Sequence, residues 1–136
     1  MALLALYARG GAAWALGFVA LVPWLCSLSA QRSFAATLGS AMLMAVAYTA
    51  AAFAWFGTAI GSYTQIGAPT GLVMLLLLAP LFQPQILIFA LVRHATARRS
   101  GPVLAALAGA CAWVAAERLI PKLLGDTYGH GLYPSA

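Results

Sequence analysis

The amino-acid sequence predicts an all-α fold: a polytopic transmembrane bundle of about four spanning helices that covers residues 1–136. Hydrophobic residues make up 64% of the chain and charged residues 7%, and the mean hydropathy is +0.95. A soluble domain carries about 25% charged residues, so this composition excludes an ordinary soluble globule, a disordered tail and a nucleic-acid-binding domain. The apolar runs are continuous rather than alternating, which argues against membrane strands.

Charged residues and turn residues set the limits of the predicted helices. The first charge-free stretch lies between Arg9 and Arg32, and a much longer one runs on to Arg93. Small and turn residues near Gly57–Ser62 and Gly67–Pro69 break the longer stretch. Each segment then approaches the roughly 20 residues that a crossing needs. The predicted helices are Ala12–Leu28, Phe34–Phe56, Thr70–Val92 and Pro102–Leu119.

The middle of the chain shows how these helices would pack and bend. Small residues line the second and fourth helices, where they let backbones approach closely. Pro80 and Pro84 in the third helix each remove a backbone hydrogen bond and predict kinks. Gln83 and Gln85 beside them either line a cavity or satisfy backbone groups that the prolines free. The pattern favours the second interpretation.

The basic residues predict the orientation in the membrane. Arg32 and the compact Arg93–Arg99 segment, a predicted loop, fall on one side, whereas Arg9, Arg118 and Lys122 fall on the other. Positive charge concentrates on the cytoplasmic side of membrane proteins, so we expect the Arg93–Arg99 loop to be cytoplasmic. The turn-rich tail, residues 120–136, then faces outward, as does the uncharged stretch around Gly57–Pro69.

Few residues in the chain can carry chemistry. Its only acidic residues are Glu117 and Asp126, so no paired-carboxylate or Ser-His-Asp set is assembled. We expect no catalytic residue, cofactor or metal in this chain. Trp113, Glu117 and Arg118 close the fourth helix, where they either meet a lipid headgroup or form an interfacial ion pair with a Trp anchor. The pattern favours the structural interpretation.

Aromatic residues around the second helix end are a further candidate. Trp55 and Phe56 close the predicted helix, and Tyr63 follows in the predicted outer loop. Aromatic side chains at this depth are typical of the interfacial belt, and a substrate-lining role for Trp55 and Tyr63 is the functional alternative. His130 in the tail is an acid–base candidate, although a solvated histidine is the simpler interpretation.

Six stretches follow one another along nearly the whole chain. They are Gly17–Leu25, the loop at Arg32, Ala54–Phe56 with its outer loop to Pro69, the Leu-rich third helix, Ala112–Leu119, and Gly125–Ser135. Their order resembles the membrane part of apolipoprotein N-acyltransferase, a bacterial inner-membrane enzyme. In the family, a Trp-x-x-x-Glu helix end also leads into an outer loop rich in Gly, Pro and aromatic residues.

The resemblance implies an acyltransferase that moves an acyl chain from phospholipid to the N-terminal amine of lipoproteins. Its implied partners are those two substrates and the membrane lipids, and its implied location is the inner membrane, with the tail periplasmic. In the family a nitrilase-like domain carries the catalytic Glu-Lys-Cys set, to which no residue here corresponds; Cys26 and Cys111 lie inside apolar helices, where we expect them buried. The resemblance also implies an earlier helix, with Ala2–Tyr7 as its last turns. The chain would be a fragment that anchors the enzyme and shapes lipid access without activity of its own.

A different class remains open from the residues alone. The chain would then be a self-contained small four-helix membrane protein, such as a transporter subunit or an assembly partner. No acidic residue lies in the first three predicted helices, which argues against proton coupling at mid-membrane.

Overall fold

The computed structural model describes residue 16 and residues 19–121, and every regular element among them is helical. The predicted all-α class is thereby confirmed. The tail beyond residue 121 and residues 12–15, 17 and 18 of the first predicted helix lie outside the described residues. The described helices are α1 (Val22–Ala30), α2 (Phe34–Tyr63), α3 (Ala68–Leu77), α4 (Ala79–Phe82), α5 (Pro84–Ala97) and α6 (Pro102–Leu119).

The chain divides into two compact units. Among the described residues, the first unit comprises 19–23 and Val46–Ala79, and the second comprises Trp24–Ala45 and 80–121. Helix α2 contributes residues to both units. The second unit contains most of α1, the first part of α2, and all of α5 and α6.

Helix α2 runs seven residues beyond its predicted end at Phe56 and closes at Tyr63. The expected break at Gly57–Ser62 does not occur, because the glycines there make room for α3 rather than for a turn. Gly57 and Gly61 are buried. A Cβ atom on Gly71 of α3 would lie 2.5 Å from the Gly57 carbonyl oxygen and 2.7 Å from the Gly61 Cα atom.

The reversal between α2 and α3 occupies a short segment after Tyr63. Gln65 and Gly67 both adopt positive φ, at 58° and 91°, which turns the chain within a few residues. The Gly67 amide donates to the Gly61 carbonyl oxygen at 3.0 Å. Pro69 lies in the first turn of α3, where its missing N–H costs no helical hydrogen bond.

The predicted third helix, Thr70–Val92, is divided into α3, α4 and α5 by interruptions next to its two prolines. The second interruption is at Gln83, whose φ of −123° and ψ of 53° lie outside the helical region, and Pro84 then starts α5. The kinks that Pro80 and Pro84 predicted are therefore present. Helix α5 continues to Ala97, so that Arg93 and His94 belong to its last turns rather than to a loop.

The outer surface of the helices is apolar. Leu43, Leu77 and Leu119 are 71%, 75% and 80% exposed, and the thiols of Cys26 and Cys111 are exposed as well, contrary to expectation. Two helices, α2 and α6, are long and apolar enough to cross a membrane, yet only 33% and 17% of their best windows are buried. A core helix of a soluble protein would be mostly buried, so lipid is the medium that suits this surface.

The close approach of α2 and α3 generates a first prediction. Replacing Gly71 with Ala places a methyl group against backbone atoms that cannot move aside, and overpacking of this kind costs about 1–3 kcal/mol. We expect the purified Gly71→Ala variant in a neutral detergent to unfold at a lower temperature than the parent chain. Gly39→Ala is the control, because a Cβ atom at Gly39 meets nothing within 4 Å. Equal unfolding temperatures for the two variants would contradict the packing described above.

Candidate functional site

A row of three aromatic rings holds the helices of the second unit together. Trp24 of α1 lies 5.7 Å from Phe89 of α5, between ring centroids, and Phe89 lies 5.9 Å from Trp113 of α6 in an edge-to-face arrangement. The Trp24 indole N–H donates to the Ser40 hydroxyl on α2 at 3.1 Å. Trp113 is one of the predicted site residues. It lies near the end of α6, and packing against Phe89 holds its ring in place.

The other two predicted residues of α6 follow Trp113 along the helix. Glu117 is half-buried and takes part in an interaction, and Arg118 is exposed in the last turn. Trp113 and Glu117 are four residues apart and so share a face of α6. The structure thus brings a carboxylate and an aromatic ring together at one end of a membrane-length helix.

Trp55 and Tyr63 lie on α2 in the first unit and are 66% and 91% exposed. The Trp55 indole N–H donates to the Ala52 carbonyl oxygen at 3.1 Å, and its ring meets Phe56 edge-on at 5.7 Å. Trp55 lies within α2, not at its end as predicted, since the helix continues to Tyr63. Eight residues separate the two side chains, about 12 Å along the axis, so they do not form one contact surface.

The buried glutamines beside the prolines bind each other. Gln83 and Gln85 are each 3% exposed, and the Gln85 amide nitrogen donates to the Gln83 amide oxygen. The Gln85 amide oxygen is buried without a hydrogen-bond partner among the described residues. This bond pairs the two amides with each other, whereas the favoured interpretation of the sequence was that they satisfy the backbone groups that the prolines free.

A second polar feature was not predicted from the sequence, because its hydrogen-bonding partners are more than 50 residues apart. Arg93 donates to the Ser29 hydroxyl at 2.8 Å, and His94 Nδ1 lies 3.0 Å from the hydroxyl oxygen of Thr37. The serine and threonine carry no periodic signal that would single them out. The clustering of arginines near residue 93 was the only indication of this site in the sequence.

These two contacts lie beside a cavity of about 390 Å³ in the second unit. We call it the basic pocket. Its wall contains four basic side chains and the start of α6. It also contains the serine and the threonine that form hydrogen bonds with two of those side chains. Its polar lining residues include Ser29, Arg32, Thr37, Arg93, His94 and Arg98.

Across residues 19–121, no three His, Cys, Asp or Glu side chains lie close enough to share a metal ion. The features of the described residues are apolar outer surfaces, aromatic rings that pack between helices, and charges at helix ends. They are typical of a helical membrane protein.

Comparison with known families makes the assignment specific. The family model for the apolipoprotein N-acyltransferase N-terminal domain matches residues 2–127, nearly the whole chain, and the chain belongs to that family. This confirms the resemblance drawn from the sequence. Comparison with curated proteins and with solved structures finds no match.

The aromatic row generates a prediction about the stability of the second unit. Phe89 contacts both tryptophans, and its ring also lies beside Gly109 of α6, where a Cβ atom would be 3.0 Å from the Phe89 Cε2 atom. Truncation in Phe89→Ala should destabilise the protein by about 3 kcal/mol, measured by thermal unfolding in detergent. Phe34→Ala removes the same ring at a position that is 57% exposed and should cost much less. A cost for Phe34→Ala as large as that for Phe89→Ala would refute the role of the row.

Proposed function

We propose that this chain forms the membrane-embedded part of an apolipoprotein N-acyltransferase, where it anchors the enzyme and shapes the access of lipid substrates. The family match over residues 2–127 carries this proposal. The structure supports it through helices that expose apolar side chains on most of their surface. Such a surface suits a part of the enzyme that lies in lipid and receives lipid substrates from it.

The reaction proposed for the whole enzyme has two steps. An acyl chain passes from a phospholipid to a catalytic cysteine, and then from that thioester to the N-terminal amine of a lipoprotein. We place the catalytic cysteine, with its Glu and Lys partners, in a nitrilase-like domain and not in this chain. Cys26 and Cys111 sit on the exposed surfaces of α1 and α6, where lipid would surround them.

Within this function, five residues are candidates for contact with lipid or substrate. Glu117 and Arg118 end α6 with opposite charges, and Trp113 stands one turn earlier, which suits a zwitterionic headgroup at the membrane surface. Trp55 and Tyr63 present exposed rings on α2, which suit contact with acyl chains and the interface.

The proposed location is the bacterial inner membrane. The Arg93–Arg99 segment would face the cytoplasm, and the tail, residues 120–136, would face the periplasm. The basic excess around Arg93 supports this orientation. Helix α6 then runs from the cytoplasmic side at Pro102 to the periplasmic side at Leu119, which places Glu117 on the side where lipoproteins are acylated.

One experiment tests where catalysis resides. We expect the purified 136-residue chain to transfer no acyl group to a diacylated lipoprotein when phospholipid is supplied. Addition of the nitrilase-like domain in the same polypeptide should produce transfer. Turnover by the 136-residue chain alone would contradict the proposed division of labour.

Glu117→Gln tests the contact at the end of α6. In the polypeptide that includes the nitrilase-like domain, the loss of one charge-assisted contact, about 1.5–3 kcal/mol, should lower kcat/KM for acyl transfer by about tenfold or more. Cys111→Ser, an exposed position on the same helix, is the control and should keep the parent rate. If the Glu117→Gln variant kept the parent rate, Glu117 would not be part of the site.

Labelling with a membrane-impermeant maleimide tests the orientation. In a background without Cys26 and Cys111, a cysteine at Tyr63 should react from the periplasmic side of intact cells. A cysteine at Ser100, next to the arginine cluster, should react only after the cells are opened. The opposite pattern would overturn the proposed topology.

A further inference from the structure

The basic pocket has the composition of an anion site. Arg32, Arg93 and Arg98 bring three guanidinium groups to its wall, and none of the described residues that line it is acidic. Glu117, the acidic residue that the structure describes, lies near the opposite end of α6, fifteen residues or about 22 Å from Pro102. The positive charge of the pocket therefore has no carboxylate to balance it within its own wall.

Two of the basic side chains are held in place before any ligand arrives. Arg93 donates to the Ser29 hydroxyl at 2.8 Å, which fixes one arm of its guanidinium group and leaves its other N–H groups for a ligand. An arginine oriented in this way loses less conformational freedom when it binds an anion. Helix α1 and helix α5 thus cooperate to position one cation at the wall of the pocket.

The hydrogen bonds of His94 leave one ring nitrogen available. The Thr37 hydroxyl donates its single hydrogen to the Ser33 carbonyl oxygen at 3.1 Å, so its oxygen accepts from His94 Nδ1 at 3.0 Å. Nδ1 is then the protonated nitrogen. Nε2 then carries the lone pair of the ring and is an acceptor. It is buried and has no hydrogen-bond partner among the described residues, which is an unfavourable state that a hydroxyl donor would relieve, such as a P–OH group or a glycerol hydroxyl of a lipid headgroup.

The start of α6 adds a third attraction for negative charge. Pro102 lines the pocket, and no side chain caps the first turn of this 18-residue helix. A helix N-terminus favours anions and disfavours cations. Arginines at this terminus are therefore electrostatically unfavourable. An anion bound between them would offset their repulsion by one another and by the helix N-terminus.

We propose that the basic pocket binds a phosphate group, with Arg32, Arg93 and Arg98 as its cationic ligands and His94 Nε2 as an acceptor for a hydroxyl group that accompanies the phosphate. Guanidinium groups match phosphate oxygens by paired hydrogen bonds, and a volume of about 390 Å³ lies within the range of small-molecule sites. The phosphate belongs either to the headgroup of an anionic phospholipid or to a free phosphate ion. Exposed apolar side chains next to the pocket, Phe34, Val103 and Leu104, offer a path for acyl chains.

This site differs from the candidate substrate contacts. The pocket lies at the Pro102 end of α6, whereas Trp113, Glu117 and Arg118 lie toward the Leu119 end. A lipid bound here would tie α1, α2, α5 and α6 together through their polar residues without entering the acyl-transfer site. The proposal does not depend on the enzymatic activity and is tested without it.

The test measures binding to the full chain in a neutral detergent by native mass spectrometry and by ligand-induced shifts in unfolding temperature. The probes are phosphatidylglycerol, phosphatidylcholine and inorganic phosphate. We expect phosphatidylglycerol or inorganic phosphate to bind the parent chain, and the Arg93→Gln/Arg98→Gln double variant to lose at least about tenfold in affinity. Binding of phosphatidylglycerol without inorganic phosphate identifies a lipid headgroup, and equal binding of both identifies the phosphate ion itself as sufficient.

Arg99→Gln is the matched control, because Arg99 lies in the same basic segment but does not line the basic pocket. Its affinity should stay within about twofold of the parent value. Arg93→Lys and Ser29→Ala provide milder variants that keep the charge, and both should weaken binding less than the double variant does. Absence of binding by every probe, or an equal loss in Arg99→Gln, would overturn the proposal.

Discussion

Lipid surrounds most of this protein, and that single constraint decides how its helices can associate. Burial of apolar side chains gives little advantage when the alternative is an apolar solvent, so contacts must come from close packing and from internal hydrogen bonds. In the first unit, Gly57, Gly61 and Gly71 let two backbones approach to a distance that no side chain permits. In the second unit, Trp24, Phe89 and Trp113 fill the space between helices with interlocking rings.

The lipid environment also explains how the broken segment between α3 and α5 is stabilised. Prolines in lipid leave backbone groups that need partners, and the helix here is interrupted rather than continued with a bend. Gln83 lies at the interruption and bonds to Gln85 in the first turn of the next helix. Both side chains are almost fully buried, so this polar pair is shielded from lipid where the helical hydrogen-bond ladder is incomplete.

Basic residues gather where α5 ends and α6 begins, whereas Glu117 and Arg118 carry opposite charges near the other end of α6. Arginines between two helices are typical of the cytoplasmic side of membrane proteins. That tendency does not account for their convergence on a cavity or for the serine and threonine that hold Arg93 and His94. Those features depend on contacts between segments that are distant in the sequence, and together they form the basic pocket.

The sequence alone determined the fold class and the position of α6, because continuous apolarity and a helix-length charge-free stretch are local properties. The family was predicted from the order of features, which resembles that of known members, and the family model confirms it. The two prolines likewise predicted the breaks in the third segment, because a proline lacks the backbone N–H group at any position in a helix. The tertiary structure decided the end of α2, because a glycine that makes a turn and a glycine that admits a neighbouring helix look the same in sequence. It also decided the basic pocket: Ser29 and Arg93 are 64 residues apart, and only folding brings a hydroxyl and a guanidinium group within hydrogen-bonding distance.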